Sequence, residues 1–399
     1  MKQLSILGST GSIGRQCLSV VEALPGRFGV VALAAGANLE ELLGQIARHQ
    51  PELVSVADAR RAEELSQLLR EKSAAHKPEI HHGREGMLAV GTHAKAEIVV
   101  SAAVGVVGLE ATYEAVKLGK TVALSNKEVL VAAGELVMAA AKKAGRELLP
   151  VDSEHNALHQ CLRGGTHGEV RRLVLTASGG PFRKTPLAQL ASVTPEQALA
   201  HPNWRMGNRI TIDSATMMNK GFEIIEAHWL FDVRADQIEV VIHPQSTIHS
   251  MVEFVDGSVL AQLGPTDMRM PIQYALTYPE RVASKQVALD WSKLKRLDFA
   301  KASTRRFPCL RLAREAMKKG GVFPCALNAA DEIAVSAFLE RRLPFLGIPE
   351  VIEGVLSRTP RVRLEKMDDV LTADAEARRM AQEEVARIAG GVAAQVHSA

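Results

Sequence analysis

Three short stretches of the 399-residue chain carry residue types that can hold a cation or an oxyanion. The first is Pro150-Val151-Asp152-Ser153-Glu154-His155-Asn156. Asp152 and Glu154 are two apart, so on extended backbone their carboxylates share a face, at the mouth of the apolar run that ends just before them. Two oxygen donors presented together suit a hard divalent ion such as Mg²⁺ or Mn²⁺. Taken alone, the stretch reads more readily as a solvated turn or a helix start, with Asp152 or Ser153 as the N-cap.

The second stretch runs from Ser214 to Glu223 and includes Met217-Met218-Asn219-Lys220-Gly221-Phe222. On a helix, expected over about 213–229, Asn219, Lys220 and Glu223 fall on one face. Glu223 would then complete a three-carboxylate set with Asp152 and Glu154. Ser214, Asn219 and Lys220 are suited to an anionic oxygen group. The plainer reading is a surface Lys–Glu pair. The third stretch is Ser178-Gly179-Gly180 at the end of an apolar run, followed by an irregular loop over 183–209 that contains His201 and Trp204. A serine beside two glycines can donate to phosphate. A His and a Trp in such a loop suit a lid that excludes water, although His201-Pro202 alone is equally a turn. No histidine sits in H-E-x-x-H spacing, which speaks against a zinc protease. His155, His243 and His249 read as structural or supporting groups.

The front of the chain supplies what such a site would be built on. An apolar strand at 4–7 leads into Gly8-Ser9-Thr10-Gly11-Ser12-Ile13-Gly14 and then a helical pattern through Cys17, Leu18, Val21 and Leu24. A glycine turn between strand and helix offers backbone N–H groups and a helix N-terminus to a pyrophosphate. Its spacing is Gly-x-x-Gly-x-x-Gly rather than the standard dinucleotide fingerprint, so a tight turn without ligand remains the alternative. A second apolar run ends at Gly36-Ala37-Asn38 with no acid for a ribose, the next being Glu40, which favours NADP over NAD. Further strands are expected at 53–57, 98–103, 121–124 and 148–151. Ser125-Asn126-Lys127-Glu128 lies at the C-terminal end of one of them, where open α/β sheets bind ligands. Lys127 could meet a phosphate or polarise a carbonyl, or Glu128 could simply close a capping box with Ser125 or Asn126.

Composition narrows the classes. The chain is 47% hydrophobic and 4% aromatic with 30 glycines, as an α/β protein would be. A net charge of +3 leaves no footprint for nucleic acid. Apolar runs are too short to span a bilayer, and the four cysteines lack any framework spacing. The amino terminus enters a strand at once, with no room for a signal peptide, so a cytoplasmic protein is expected. The pattern divides into a doubly wound Rossmann-like parallel-sheet domain over 1–150 and a central α+β catalytic domain over 151–285. A linker over 286–308 and a C-terminal helical bundle over 309–390 follow, the last residues fraying. Strands at 238–243, 246–254 and 258–263, the last two joined at Asp256-Gly257, are expected to pair antiparallel and to offer a sheet for dimerisation.

Together these pieces resemble the 1-deoxy-D-xylulose 5-phosphate reductoisomerase family over essentially the whole chain. The resemblance rests on GSTGSIG at 8–14, SNKE at 125–128, PVDSEHNA at 150–157, TASGGPF at 176–182, HPNWRMG at 201–207 and DSATMMNKGFEIIEAHWLF at 213–231. It implies NADPH against Thr10, Gly11, Ser12, Ile13, Gly36, Ala37, Asn38, Asn126, Glu128 and Gly207. It implies a divalent metal (Mg²⁺, Mn²⁺ or Co²⁺) on Asp152, Glu154 and Glu223, which with Lys127 form the expected catalytic set. A phosphorylated deoxysugar substrate would meet Lys127, Ser153, Glu154, Ser178, His201, Ser214, Asn219, Lys220 and Glu223, under a flap carrying Trp204 and Met206. The implied reaction rearranges the carbon skeleton and then reduces it with NADPH, in a homodimer. Ala37 departs from a side chain able to bond the cofactor's 2′-phosphate, leaving that to Asn38 or the backbone. Two rivals stand beside it: a metal-independent NADP-dependent dehydrogenase, which would need a catalytic cysteine that Cys161 is poorly placed to be, and a cofactor-binding regulatory protein that has lost its chemistry.

Overall fold

The computed structural model describes residues 1–73, 75–204, 206–284 and 288–396, with side chains described as far as Gly390. Residues 286 and 287, at the start of the expected linker, and Arg205 of the lid motif lie outside the described residues. The chain opens with β1 (Lys2–Leu7), α1 (Ser12–Ala23), β2 (Phe28–Ala34), α2 (Leu39–His49), β3 (Leu53–Val56) and α3 (Ala59–Glu71). It continues with β4 (Glu79–His82), α4 (Gly83–Thr92), β5 (Ile98–Ser101), α5 (Leu109–Lys117), β6 (Thr121–Leu124), α6 (Glu128–Ala144), β7 (Leu148–Pro150) and α7 (Ser153–Leu162). Then come β8 (Val170–Ala177), α8 (Pro195–Leu199), α9 (Asn208–Thr216), α10 (Met218–Phe231), β9 (Ile238–Ile242), β10 (Ile248–Phe254), β11 (Val259–Leu263) and α11 (Arg269–Thr277). The two-residue β12 (Ala300–Lys301) precedes α12 (Pro308–Lys319), α13 (Phe323–Leu339), α14 (Gly347–Arg358) and α15 (Met367–Val396).

Contacts divide the chain into two compact units, the first made of Met1–Val129, Val137–Asn156 and Asp267–Ala288. Its seven strands form one parallel sheet in the order β4-β3-β2-β1-β5-β6-β7. The inner strands are near-continuous apolar runs because helices cover both faces. β4, absent from the sequence reading, has the pattern Glu-Ile-His-His: as an edge strand it pairs on one side only, with β3, and stays partly exposed. Chain order reverses between β1 and β5, which places a crevice at their C-terminal ends. The glycine loop of residues 8–14 stands there. Gly8 has φ +88, and a Cβ on Gly14 would lie 2.4 Å from the carbonyl oxygens of both Gly8 and Ser9. Residues 267–288, expected in the catalytic domain or linker, instead join this unit: α11 packs on α1, with Ile272, Ala275 and Leu276 in the core that holds Val20 and Val21.

The second unit comprises Leu130–Leu136, Ala157–Thr266 and Leu289–Ala399. Its five-stranded sheet runs β11-β10-β8-β9-β12. The expected hairpin at Asp256-Gly257 is there, pairing β10 with β11 antiparallel. The expected run of three antiparallel strands is not, because β8 lies between β9 and β10 and pairs parallel with β9. α10 packs on α12, and α13 is the axis against which α14 and α15 lie. The buried Ala, Leu and Phe stripe of α13 closes this helical core.

Two local corrections bear on the site. The single helix expected over 213–229 is two, broken at Met217 (φ +64), where the Thr216 hydroxyl accepts the Met218 N–H at 3.2 Å and so starts the second helix. The loop over 183–209 contains a 3₁₀ turn at Leu187–Ser192 and the short α8, capped by Thr194 with Gln197 in a reciprocal capping box and Pro195 at its first position.

Candidate functional site

In the first unit, β6 and β7 pair in register, Leu124 opposite Pro150, so the segments that leave them emerge side by side. That register brings Lys127 to Asp152, with Nζ 2.6 Å from Oδ2, both side chains largely buried. Lys127 occupies the N-cap position of α6 and no side chain caps it, so the capping-box alternative for this motif is not the one adopted. The extended backbone imagined for Asp152 and Glu154 is likewise replaced: the chain turns directly from Pro150 into α7, and the Asn156 N–H bonds back to the Asp152 carbonyl at 2.8 Å. Asp152 therefore precedes the helix and Glu154 stands in its first turn, with Ser153 Oγ donating to Glu154 Oε2 at 2.5 Å. Asn156 ties the turn down through the carbonyls of Pro150 (2.8 Å) and Pro271 (3.2 Å). Burial raises the Asp152 carboxyl, but the Lys127 charge beside it and His155, whose Nδ1 is 3.5 Å away, outweigh burial and hold it well below the usual carboxylate range. A carboxylate kept ionised by its neighbours is a donor suited to a hard cation.

The residues expected to meet the cofactor fall into two groups. α1 begins at Ser12 with Gly11 as N-cap and no side-chain cap, so the first turn of the helix after the glycine loop is left uncapped, while the Gly11 N–H itself bonds back to the Gly8 carbonyl at 3.1 Å. Gly36, Ala37 and Asn38 are exposed at the end of β2. The Asn38 side-chain oxygen caps α2 by accepting the Glu41 N–H at 3.1 Å, so its amide nitrogen is the part left to donate outward. Asn126 is different. It is buried, and its Nδ2 donates to the carbonyls of Ala103 and Gly105, bracing the loop after β5. Glu128 starts α6.

In the second unit, Asn219 Nδ2 donates to Glu223 Oε1 at 2.7 Å, and Lys220 Nζ donates to Oε2 at 2.5 Å. Glu223 is wholly buried and Lys220 nearly so, which removes the surface-pair reading of this motif. Ser214 is on α9, before the Met217 break, and the turn after β8 packs on it: a Cβ at Gly180 would come 2.8 Å from the Ser214 carbonyl oxygen. Ser178, at the start of that turn, meets His201, Oγ to Nε2 at 3.0 Å. His201 Nδ1 accepts the N–H groups of Asn203 (3.2 Å) and Trp204 (3.0 Å), so the ring proton must sit on Nε2 and be donated to Ser178. Ser178 Oγ also accepts the Gly180 N–H at 3.2 Å. With both acceptor positions of that oxygen used, its own hydrogen is the one to offer an anion. Trp204 lies 6.3 Å from the His249 ring, and Met206 and Gly207 lead into α9, of which Gly207 is the N-cap.

Burial pushes the His201 pKa below its ordinary value. Protonation would also place a second donor against the N–H groups of Asn203 and Trp204. The stability this neutral ring contributes is complete above about pH 6.5, the ordinary histidine value, and is lost as the pH falls through the lowered one. Trp204 fluorescence, read with Trp229 and Trp291 replaced by Phe, should therefore change on acidification below about pH 6.5, and His201→Asn should remove the transition. An unchanged acid transition in that variant would exclude the histidine as its source.

Some residues of this region gave no signal in the sequence. Asn203 Nδ2 donates to the Pro244 carbonyl (2.6 Å) and to Ser246 Oγ (3.0 Å), fixing the lid segment to the turn after β9. Arg209 binds Glu332 Oε1 (2.7 Å) and Asn328 Oδ1 (2.8 Å) on α13. Two adjacent acids, Asp331 and Glu332, interrupt the alanine-rich pattern at 326–334 but do not by themselves point to Arg209. His243 and His249 contact backbone carbonyls, those of Asp298 (2.9 Å) and Pro265 (3.3 Å), in keeping with a structural role.

Comparison with known proteins agrees over the length of the chain. Family models described as 1-deoxy-D-xylulose 5-phosphate reductoisomerase match residues 4–134, and models of that enzyme's C-terminal domain match 148–231 and 263–380. The 1-deoxy-D-xylulose 5-phosphate reductoisomerase of Solibacter usitatus is 52% identical over 385 residues, 96% of this chain and 97% of the relative. That of Symbiobacterium thermophilum is 52% identical over 387 residues, 97% of this chain and 100% of the relative. The Zymomonas mobilis reductoisomerase solved with NADPH superposes with a TM-score of 0.90 at 43% identity, covering 96% of this chain and 99% of that one. A reductoisomerase solved with NADPH, fosmidomycin and magnesium gives 0.90 at 39% identity, covering 96% and 98%. With its parallel sheet, glycine loop and buried lysine–carboxylate couples all standing where those motifs lie, the chain belongs to the 1-deoxy-D-xylulose 5-phosphate reductoisomerase family.

Proposed function

We infer that the chain converts 1-deoxy-D-xylulose 5-phosphate to 2-C-methyl-D-erythritol 4-phosphate with NADPH and a divalent metal, and that the residues described above do the work. The observation that carries the assignment of roles is the pair of buried couples, Lys127–Asp152 and Lys220–Glu223. Each presents a carboxylate whose charge is kept in place by a buried lysine.

When bound, NADPH would supply the hydride and a divalent metal would supply Lewis acidity at the substrate's reacting oxygens. Asp152, Glu154 and Glu223 would hold the metal: an all-carboxylate set is the choice of a hard ion such as Mg²⁺ or Mn²⁺. The uncapped first turn of α1 fits the cofactor's pyrophosphate, and the Asn38 amide its 2′-phosphate side. Lys127 Nζ, already a donor to Asp152, is the group to give a proton to the oxygen that gains charge as the carbon skeleton breaks and re-forms. Ser153 Oγ, one residue from both acids, orients the substrate hydroxyl. Ser178 Oγ–H, Ser214, Asn219 Nδ2 and Lys220 Nζ bind the phosphate, while His201 fixes the Ser178 rotamer. Trp204 and Met206 close over the substrate and exclude water, using the phosphate as the source of binding energy.

Among the described residues no helix is long and apolar enough to cross a membrane. We further propose a cytoplasmic homodimer. The four free cysteines are all buried thiols, as suits a reducing compartment. The edge strand β11 exposes Val259 and Leu260, an apolar edge that a second copy would cover. One preparation tests the reading. With Mg²⁺ or Mn²⁺ and the deoxyxylulose phosphate it should oxidise NADPH, stop on chelation, and sediment at twice the 43.1 kDa chain mass. No NADPH oxidation with either metal would refute the activity, and a 43 kDa species would refute the dimer.

A further inference from the structure

Beside the glycine loop, the first unit holds a buried amide that the chemistry described so far leaves unused. Gln45 lies on the inner face of α2 among Leu39, Leu42, Leu43 and Ile46, and is wholly buried. Packing alone would choose another apolar side chain there, since burying an amide costs free energy unless it is bonded. Gln45 is bonded. Its Nε2 donates to the Ser9 carbonyl at 3.0 Å and to Glu41 Oε1 at 3.2 Å.

The two ends of this contact are the two places expected to meet NADPH. Ser9 stands inside the glycine loop, and its N–H bonds to the Ala34 carbonyl at the end of β2, at 2.8 Å. Its own carbonyl oxygen is the atom that a Cβ on Gly14 would approach to 2.4 Å. The loop at Ser9 is therefore gripped by β2 on one side and by α2 on the other. Glu41, the second acceptor, is in the first turn of α2, where its N–H is capped by the Asn38 side chain at 3.1 Å. Gln45 thus joins the loop that fits the pyrophosphate to the turn whose Asn38 amide is left for the 2′-phosphate. In the cofactor these two groups are spaced by a single ribose. A site that meets both at once gains from holding its two segments at that spacing beforehand.

We propose that Gln45 is a positioning residue that sets the spacing between the glycine loop and the Asn38 turn, and that through this spacing it selects NADPH over NADH. It acts through the Ser9 carbonyl and through Glu41, and the inference rests on the cofactor roles given above to the glycine loop and to Asn38. With the tie in place, a cofactor that seats its pyrophosphate has its 2′-phosphate delivered to Asn38 without further ordering of the chain. Without it, the Ser9 peptide and α2 take up their positions independently. The share of binding that comes from the 2′-phosphate then falls, while the share that NADH also has falls less.

The test measures the dissociation constants of NADPH and NADH, by quenching of protein fluorescence, in wild type, Gln45→Met and Glu41→Ala. Methionine keeps the length of the side chain and loses the donor. The Glu41 change, at a partly exposed position, leaves Gln45 in place but removes the acceptor that aims it, and it stays informative if Gln45→Met fails to fold. The ratio of the NADH to the NADPH constant should fall about fivefold in Gln45→Met, the low end of coupling between sites, and by less in Glu41→Ala. In an Asn38→Ala background the Gln45 change should leave the ratio where Asn38→Ala alone puts it. A ratio unchanged in both variants, whether or not the two cofactors weaken together, would make Gln45 a group of the core alone and overturn the proposal. A fall of the same size in the Asn38→Ala background would overturn the route through Asn38. A wild type that binds NADPH and NADH alike would fault the cofactor role of Asn38 before any variant is compared, and would take the inference with it.

Discussion

Asp152→Asn should lose turnover by about three orders of magnitude or more while still binding NADPH, because one of the proposed metal ligands becomes neutral and the lysine beside it loses that counter-charge. The two consequences separate. Lys127 Nζ is 2.6 Å from the Asp152 oxygen and largely buried, so neutralising Asp152 removes a counter-charge at close range. Breaking such a pair costs on the order of 3–5 kcal/mol where burial is complete and less where, as at Asp152, 14% of the side chain is exposed. The double change Asp152→Asn with Lys127→Gln removes both charges. It should recover most of the lost stability and none of the activity. Binding of Mn²⁺, followed by paramagnetic resonance in the absence of substrate, should be weak in both variants. Tight Mn²⁺ binding by Asp152→Asn would take the residue out of the ligand set, whatever its turnover.

The second large effect is expected at Gly14. A methyl group there would stand 2.4 Å from two backbone oxygens and 2.6 Å from the Ser9 carbonyl carbon, all atoms of the glycine loop itself. No side chain can move aside; the loop must. Gly14→Ala should cost about 1–3 kcal/mol of stability by overpacking. It should also weaken NADPH binding, measured by quenching of protein fluorescence, by about 10- to 100-fold, since the displaced backbone carries the N–H groups offered to the pyrophosphate. Gly11→Ala is the control: its methyl would come no closer than 3.3 Å to the Gly8 oxygen and should be tolerated better. Equal loss in the two would mean that the loop responds to any side chain and that the contact at Gly14 is not special.

Much of the fold was legible because its signals are local. Buried parallel strands read as apolar runs, and β6 was read to the residue at 121–124. β4 escaped because an edge strand has no need of an apolar run. The helix break at Met217 escaped because nothing in Thr-Met-Met marks a left-handed residue; it is imposed by the packing that buries Ala215, Met217 and Met218 together. The cap of α8 is written in Thr194-Pro195-Glu196-Gln197, but a five-residue helix is too short to show periodicity. The site was legible as residue types, and its pairings were not. Lys127 meets Asp152 through strand register across a parallel sheet, which no spacing of 25 residues encodes locally. Lys220 and Asn219 meet Glu223 through helical spacing alone, and that constellation was predicted. The Arg209 cluster depends on contacts across about 120 residues and was invisible for the same reason.

The return of α11 to the first unit has a consequence for how the chain is made. On the ribosome, β1 and α1 emerge early, yet the face of α1 that carries Val20 and Val21 is covered only when residues 269–277 have been synthesised. At an elongation rate of roughly 5–20 residues per second that interval is on the order of tens of seconds. Throughout it the nascent sheet carries an uncovered apolar helix face, and the Arg27–Glu280 ion pair that fastens the returning segment cannot form. The first unit's core is thus completed by a segment made after β8 to β11, so that completion of its fold waits on translation of the main strands of the second sheet.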